Sequence, residues 1–247
     1  MDKLLYTSTS AAQQIMQAQS VNSNNLANVS TTGFRADFVQ ALSVPIYGEG
    51  IPSRVYSETG NDATNFQPGN FQTTGRSLDI AIQGDGFIAV QGKNGSEGYT
   101  RAGDLRIAEN GQLTTGTGLV VLGEGGPITI PPSETIEIGV DGTISVRPLG
   151  AEANALAQLD RIKLVNPELR LLQKYPDGLL RLRGGGSADS DASVKVTSGT
   201  IEGSNVNAIG AMVKMIELQR KYEAQIKMMQ TADENSQASA RMLQLPG

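Results

Sequence analysis

Four carboxylates lie near one another in the middle of this 247-residue chain: Asp79, Asp85, Glu97 and Asp104. Two acids at a suitable separation can hydrolyse a glycosidic bond, one protonating the leaving oxygen while the other attacks or activates water. Little else in the chain supports catalysis. It has no His and no Cys, so the Ser-His and Cys-His nucleophile systems, thiolate metal sites and disulfides cannot be built. Asp79 occupies the polar position of an alternating strand, and Asp85 precedes Gly86 in a turn dipeptide, so both are accounted for without chemistry. Gly84-x-Gly86 and Gly123-x-Gly125-Gly126 lack the Lys-Ser or Lys-Thr pair and the helix of a phosphate loop, and they read as turns. The chain reads as a non-enzyme that needs no cofactor or metal.

The elements around those acids are more informative. Leu4 to Phe34 contain no charged side chain, yet the run is rich in Ser, Thr, Gln and Asn. A surface helix carries Lys and Glu on its wet face, and a membrane span is apolar over about 18 residues or more. This stretch suits a helix with protein on most of its sides, the environment of an assembly subunit. Lys3 is followed by no apolar core of about 7 to 15 residues, so the N-terminus does not read as a cleaved secretory signal. The net charge of −5, with no segregated basic patch, argues against nucleic acid as a partner.

Both ends follow helical spacing. Leu4, Ser8, Ala11, Ile15, Ala18, Asn22, Leu26 and Val29 step by four and three residues, the seam of a coiled coil. A helix from about Lys3 to Val29 would be roughly 40 Å long, with Asn28 expected as a left-handed cap. At the other end, Ile209, Met212, Ile216, Gln219, Tyr222, Ile226, Met229, Asp233, Ser236, Ala240 and Leu243 repeat the spacing. Glu217 with Lys221 and Glu223 with Lys227 make i,i+4 pairs on its charged faces. Ser204 or Asn205 is the expected cap of this helix and Pro246 lies past its end. Asn22 and Asp233 are candidate register-setting polar residues in the two seams. Neither helix has enough apolar surface to be stable alone.

Between the helices the period changes to two. Short strands are expected at 78–82, 87–90, 105–107, 119–121, 128–130, 136–140, 144–146, 161–165, 179–182 and 194–196. Asp85-Gly86, Asn94-Gly95, Asn110-Gly111, Asp141-Gly142 and Asp177-Gly178 punctuate them as turns, and the 29 glycines fit a β-rich part. The fold class is therefore α+β. Residues 1–31 and 199–247 supply a coiled-coil-like helical domain, 32–74 an extended connector with one or two short strands, and 75–198 an inserted antiparallel β domain with a flexible loop at 184–191. Subunits that pack head to tail through such ends build a helical filament.

Asn24-Asn25-Leu26-Ala27-Asn28 followed by Thr31-Thr32-Gly33-Phe34-Arg35 resembles the N-terminal signature of the flagellar basal-body rod and hook proteins. Leu78-Asp79-Ile80-Ala81-Ile82-Gln83-Gly84-Asp85-Gly86-Phe87, Tyr99-Thr100-Arg101-Ala102-Gly103, Asp141-Gly142-Thr143-Ile144 and Gly203-Ser204-Asn205-Val206 continue the resemblance in order. The compact length, Gly33-Phe34-Arg35-Ala36 and Asp233-Glu234-Asn235 are most similar to a proximal rod member, with the distal rod sister as the alternative. The resemblance implies a torque-transmitting rod subunit in the basal body, crossing the periplasm and exported by the flagellar type III apparatus. Its terminal helices would line the export channel. Its partners would be copies of itself, FlgG on the distal side, and FlgB and FlgC among the proximal rod proteins. The candidate assembly interface is then Leu4, Ala11, Ile15, Ala18, Asn22, Leu26, Val29, Ile209, Met212, Ile216, Tyr222, Ile226, Met229, Asp233 and Leu243.

Overall fold

A computed structural model describes residues 3–45, 55–150 and 156–243. The expectations placed on Pro246, and on the side chains of Leu4 and Leu243, lie outside what it describes. The chain divides into two compact units. One comprises Met1–Val29, Ala36–Asn65 and Val206–Gly247, and the other Ser30–Arg35 and Phe66–Asn205.

The first unit contains helix α1 (Lys3–Ala27), strands β1 (Asp37–Pro45) and β2 (Val55–Thr64), and helix α2 (Ala208–Leu243). The helices pack side by side, antiparallel, with Asn22 opposite Ala211 and Thr9 opposite Met229. From those points α2 runs about two turns past the described part of α1. The stretch expected as a connector holds a long antiparallel hairpin, β1 on β2, with a bulge between Val39 and Ala41. Its prolines and glycines suggest a broken path, but Pro45 ends β1, where a missing ladder donor does no harm.

The helix boundaries correct two expectations. No described residue other than Gly has positive φ, so Asn28 is not a left-handed cap. It closes α1 through its own amides instead. Its N–H reaches the Asn24 and Asn25 carbonyls at 3.2 and 3.1 Å, and its side-chain Nδ2 donates to Asn24 O at 2.9 Å. The cap of α2 is Asn207 rather than Ser204 or Asn205. Asn207 Oδ1 accepts the Gly210 N–H at 3.0 Å, satisfying a first-turn donor.

The second unit is built of β3 (Phe71–Thr73), β4 (Ile80–Gln83), β5 (Phe87–Gln91), β6 (Glu97–Thr100), β7 (Leu105–Ile107), β8 (Leu113–Thr115), β9 (Val120–Gly123) and β10 (Gly126–Pro127). It continues with β11 (Ser133–Ile138), β12 (Thr143–Pro148), β13 (Ala157–Arg161), β14 (Leu164–Val165), β15 (Leu172–Lys174), β16 (Leu180–Leu182), β17 (Lys195–Ser198) and β18 (Thr200–Glu202). The main sheet has the order β15-β16-β6-β5-β9-β8-β7, with β10 added to β9 and β14 to β5. A three-stranded sheet β11-β12-β13 and the pairs β17-β4 and β18-β3 complete it.

Four of the predicted turns close hairpins by one device. The side-chain oxygens of Asn94, Asn110, Asp141 and Asp177 each accept the backbone N–H two residues on, at 3.1 to 3.2 Å. Such bonds hold the chain in a turn that the following glycine can complete. Strand β5 is apolar on consecutive residues because both of its faces are covered. Ile88 and Val90 enter the larger core with Leu105, Leu113 and Ile144, whereas Phe87 and Ala89 enter a smaller one with Tyr99. Ile128 to Ile130 form a bridge rather than a strand, with Thr129 opposite Gln112 and both isoleucines buried.

Leu105 is fully buried at the edge strand of the main sheet. Leu105→Ala should lower the unfolding free energy by about 2–5 kcal/mol in urea titration; a change below roughly 1 kcal/mol would mean the site collapses freely.

Candidate functional site

Two places gather the residues singled out by type and spacing: the α1–α2 seam and a buried junction in the β unit.

Along α1, Ser8 and Ala12 are buried, and Ala11, Ile15, Ala18, Asn22, Leu26 and Val29 are half-buried. Small residues at these positions let the helices approach closely. Asn22 Nδ2 donates across the seam to the Ala211 carbonyl at 2.8 Å. Asn25 does not face the helix. Its Nδ2 donates to Asp37 O at 2.6 Å and its Oδ1 accepts Asp37 N–H at 2.9 Å, so one amide side chain pairs with the start of β1 as a neighbouring strand would. Asp37 Oδ1 in turn accepts the Thr64 hydroxyl at 2.9 Å. Asn24 and Ala27 lie on the exposed side.

On α2 the seam is partly displaced from the expected register. Ala211, Leu218 and Ala232 are buried, with Met215, Tyr222, Ile226 and Met229 half-buried beside them. Ile209, Met212 and Ile216 instead form an outward stripe with Val213, each between 52% and 76% exposed. The first two turns of α2 carry two apolar stripes, and spacing alone does not say which one meets α1. Asp233 is exposed and accepts Gln237 Nε2 on its own helix at 2.9 Å. Glu217 is paired with Lys214 at 3.8 Å, toward the N-terminus of α2.

In the β unit, three of the motifs meet at Glu202, which is fully buried. Its Oε1 forms an ion pair with Arg35 Nη1 at 2.7 Å and accepts the Gly69 N–H at 2.8 Å, and its Oε2 accepts a hydrogen bond from Arg101 Nη1 at 3.0 Å. Its backbone carbonyl accepts the Gly33 N–H at 2.7 Å. Both arginines are more than nine-tenths buried. Burial pulls the Arg101 pKa below its ordinary value and the Arg35 charge adds to this, while Glu202 opposes it. Arg101 also donates to the Gly84 carbonyl at 2.7 Å and lies 5.3 Å from the Phe87 ring.

Around this centre, the Asn205 N–H reaches Phe34 O at 3.3 Å and Asn205 Nδ2 donates to Gln67 O at 2.8 Å. Lys174 lies 3.9 Å from the Phe34 ring centre and donates to Arg35 O at 2.7 Å. Ser204 is half-buried beside Asn205, and Val206, also half-buried, belongs to the first unit. Gly33 has φ +67°, and a Cβ on it would lie 2.2 Å from the Arg101 carbonyl carbon.

The junction is only half visible by motif: Arg35, Arg101 and Gly33 lie within the motifs and Glu202 does not. Its signal was a lone acid between Ile201 and Gly203, in a strand whose partner β3 carries no charge.

The four carboxylates do not form one site. Asp79 accepts the Thr74 hydroxyl at 2.6 Å and Arg76 Nε at 3.0 Å, with Arg76 Nη2 in closer contact. Burial opposes its ionisation, but Arg76 and Thr74 outweigh this and hold its carboxyl below the usual range. Asp104 is bridged to Asp79 through the backbone, and burial pushes its carboxyl up. Both Glu97 oxygens receive Lys163 Nζ at 2.9 Å. Of the four only Glu97 lines the cleft of about 540 Å³ bounded by Leu122, Glu124, Lys163, Asp189 and Ser190. Asp85 is exposed in the turn before β5. No described helix is long and apolar enough to cross a membrane.

Three family models match: Flagella basal body rod protein over residues 5–35, Flagellar hook protein FlgE/F/G D1 domain over 81–146, and Flagellar basal body rod FlgEFG protein C-terminal over 197–242. The chain is 40% identical to the flagellar basal-body rod protein FlgF of Escherichia coli and 39% identical to that of Salmonella typhimurium. Each alignment covers 99% of this chain and all of the relative. It is 33% identical to FlgG of Buchnera aphidicola subsp. Schizaphis graminum, over 92% of this chain and 96% of the relative.

Replacement at two glycines separates conformation from packing. Gly75→Ala, at φ +73° with nothing nearby, should cost about 1–2 kcal/mol for the backbone alone. Gly33→Ala adds a backbone clash and should cost at least about twice as much by urea unfolding; equal losses would contradict the close approach at Arg101.

Asp79 gives a pH test. Because its folded pKa is depressed, it contributes stability that is present above the ordinary value near 3.8 and is lost as pH falls through the depressed one. Asp104, raised, acts in the opposite sense. Asp79→Asn should lower Tm at neutral pH and flatten its fall on the acid side; an acid limb as steep as the parent's would rule out Asp79 as its source.

Proposed function

This chain belongs to the flagellar basal-body rod protein family, and from that premise we propose that it is a structural subunit of the proximal rod, a FlgF-type protein whose terminal helices dock against neighbouring subunits. It is a structural protein of the basal body that assembles with copies of itself and other rod proteins, not an enzyme. The finer assignment rests on the 39% and 40% identity to two FlgF relatives over 99% of this chain, against 33% to a FlgG relative over 92% of it.

One observation carries the docking surface: the apolar stripe of Ile209, Met212, Val213 and Ile216 on the side of α2 that its own α1 leaves uncovered. The exposed side of α1 separately offers Leu5, Tyr6 and Met16 among uncharged polar residues. Covering the four stripe side chains would contribute on the order of 1 kcal/mol each, since each is about half exposed already. A face of one subunit that fits a different face of the next repeats without closing and gives a helical shaft. The seam residues Ala11, Ile15, Ala18, Leu26, Val29, Tyr222, Ile226 and Met229 hold the helix pair that presents this face. Asn22 sets its register through the bond to Ala211, because a slip strands a polar group in the seam.

In this reading the helix pair lines the export channel. FlgG is the distal neighbour, FlgB and FlgC lie on the proximal side, and the chain reaches its place through the type III apparatus. Residues 1–31 and 199–247 act as the tube segment, 32–74 as the connecting segment and 75–198 as the outer domain. The coiled-coil character of the tube and the insertion of the β domain belong to the same proposal. The second reading, a distal FlgG-like position, is favoured only by the 33% identity to a FlgG relative. Site-specific cross-linking from residue 216 in basal bodies would tell the two apart by the neighbour it captures.

Met212→Glu with Ile216→Glu places charge on the exposed stripe without touching the seam. Swimming should be lost and the protein should be missing from purified rods, while the melting of the β unit stays unchanged. Normal motility with this double variant would remove the stripe from the interface.

A further inference from the structure

Four chain crossings between the two units occur, after residues 29, 35, 65 and 205. Within the β unit, the three segments that adjoin these crossings are tied to a single side chain. Ser30–Arg35 is held by Arg35 on Glu202 Oε1 and by Gly33 N–H on Glu202 O. The segment beginning at Phe66 is held by Gly69 N–H on Oε1. Glu202 itself lies three residues before the last crossing, and Arg101 closes the set from the body of the unit.

A buried ion network of this kind behaves cooperatively. Unseating the Glu202 carboxylate leaves two like guanidinium charges in a dry site, so states with both arginines in place and the carboxylate absent are strongly disfavoured. We propose that Arg35, Glu202 and Arg101 form a conformational latch: the segments 30–35, 66–70 and 202–205 dock on the β unit together or not at all. The latch makes the first and last segments of the unit one cooperative element although they are separated by about 170 residues of chain. The geometry distinguishes this from ordinary sheet pairing, because Gly69 and Arg35 share one carboxylate oxygen while belonging to no common strand pair.

Native-state hydrogen exchange on the full chain tests the latch at amides that Arg35 does not touch. The reporters are Gly69, bonded to Glu202 Oε1, and Gly203, bonded to Asn70 O at 2.8 Å. Arg35→Lys keeps the charge but loses the planar fork. It should speed exchange at Gly33, Gly69 and Gly203 by one shared factor of about tenfold or more, leaving Val90 and Val121 in the main sheet unchanged. Glu202→Gln should produce the same pattern with a larger factor. Faster exchange at Gly33 alone in Arg35→Lys, with Gly69 and Gly203 as in the parent, would overturn the latch. So would factors that differ widely among the three amides. If Glu202→Gln unfolds the whole unit, Arg35→Lys alone decides.

Discussion

A helix whose exposed side carries no charge has to be covered by something other than water, and α1 is covered by its own chain on only part of its surface. That constraint shapes the first unit. From Leu4 to Phe34 no side chain is ionised, and what α2 and the β1–β2 hairpin cover leaves Leu5, Tyr6 and Met16 outward. The partner helix distributes its residues differently. It gives α1 a narrow stripe of Ala211, Leu218 and Ala232, spreads its charges over other faces, and keeps a second apolar stripe outside. Small seam residues suit close approach but supply modest apolar area. The surplus apolar surface on both helices is therefore the resource from which further contacts are made.

The β unit meets a different constraint. It receives the chain at several points and must hold each one firmly if force is to pass through it. It has two cores, split by the two faces of β5. The segments at its boundary are secured by charge rather than by apolar packing, through one carboxylate between two guanidinium groups. Two arginines against one acid are a poor route to stability but a strict test of geometry, since unseating the acid leaves two like charges in the low dielectric. Gly33 belongs to the same fit: its positive φ and the close Arg101 backbone leave no room for a side chain.

Much of this was legible in the residues, for local reasons. Turn chemistry is short-range, so Asn94, Asn110, Asp141 and Asp177 announce their hairpins directly. The absence of charge in α1 is likewise a direct statement about its surroundings. What was not legible depends on partners distant in the chain. Helical spacing in α2 fits two stripes equally well, and only the position of α1 shows that Ala211 and Leu218 face it while Met212 and Ile216 do not. The β1–β2 hairpin was hidden by its prolines and glycines. Asn25 sits in a run of asparagines near the end of α1, and its role as a surrogate strand for Asp37 appears only once β1 is beside it. Glu202 carried no pattern of its own, because its meaning comes from Arg35 and Arg101, which lie more than 100 residues away.

The surplus apolar stripe on α2 is where the account of assembly is most exposed to test. The chain contains no Cys, so a single thiol introduced by Ile216→Cys reports alone on that face. Its reaction rate with a maleimide is to be compared between dilute purified protein and basal bodies isolated from swimming cells. The account predicts rapid labelling in the free chain and labelling slower by roughly tenfold or more in the assembled rod, because access governs thiol reactivity once ionisation is matched. Equal rates in the two states, in cells that swim normally, would mean that this face stays open to solvent and that the rod is held together elsewhere.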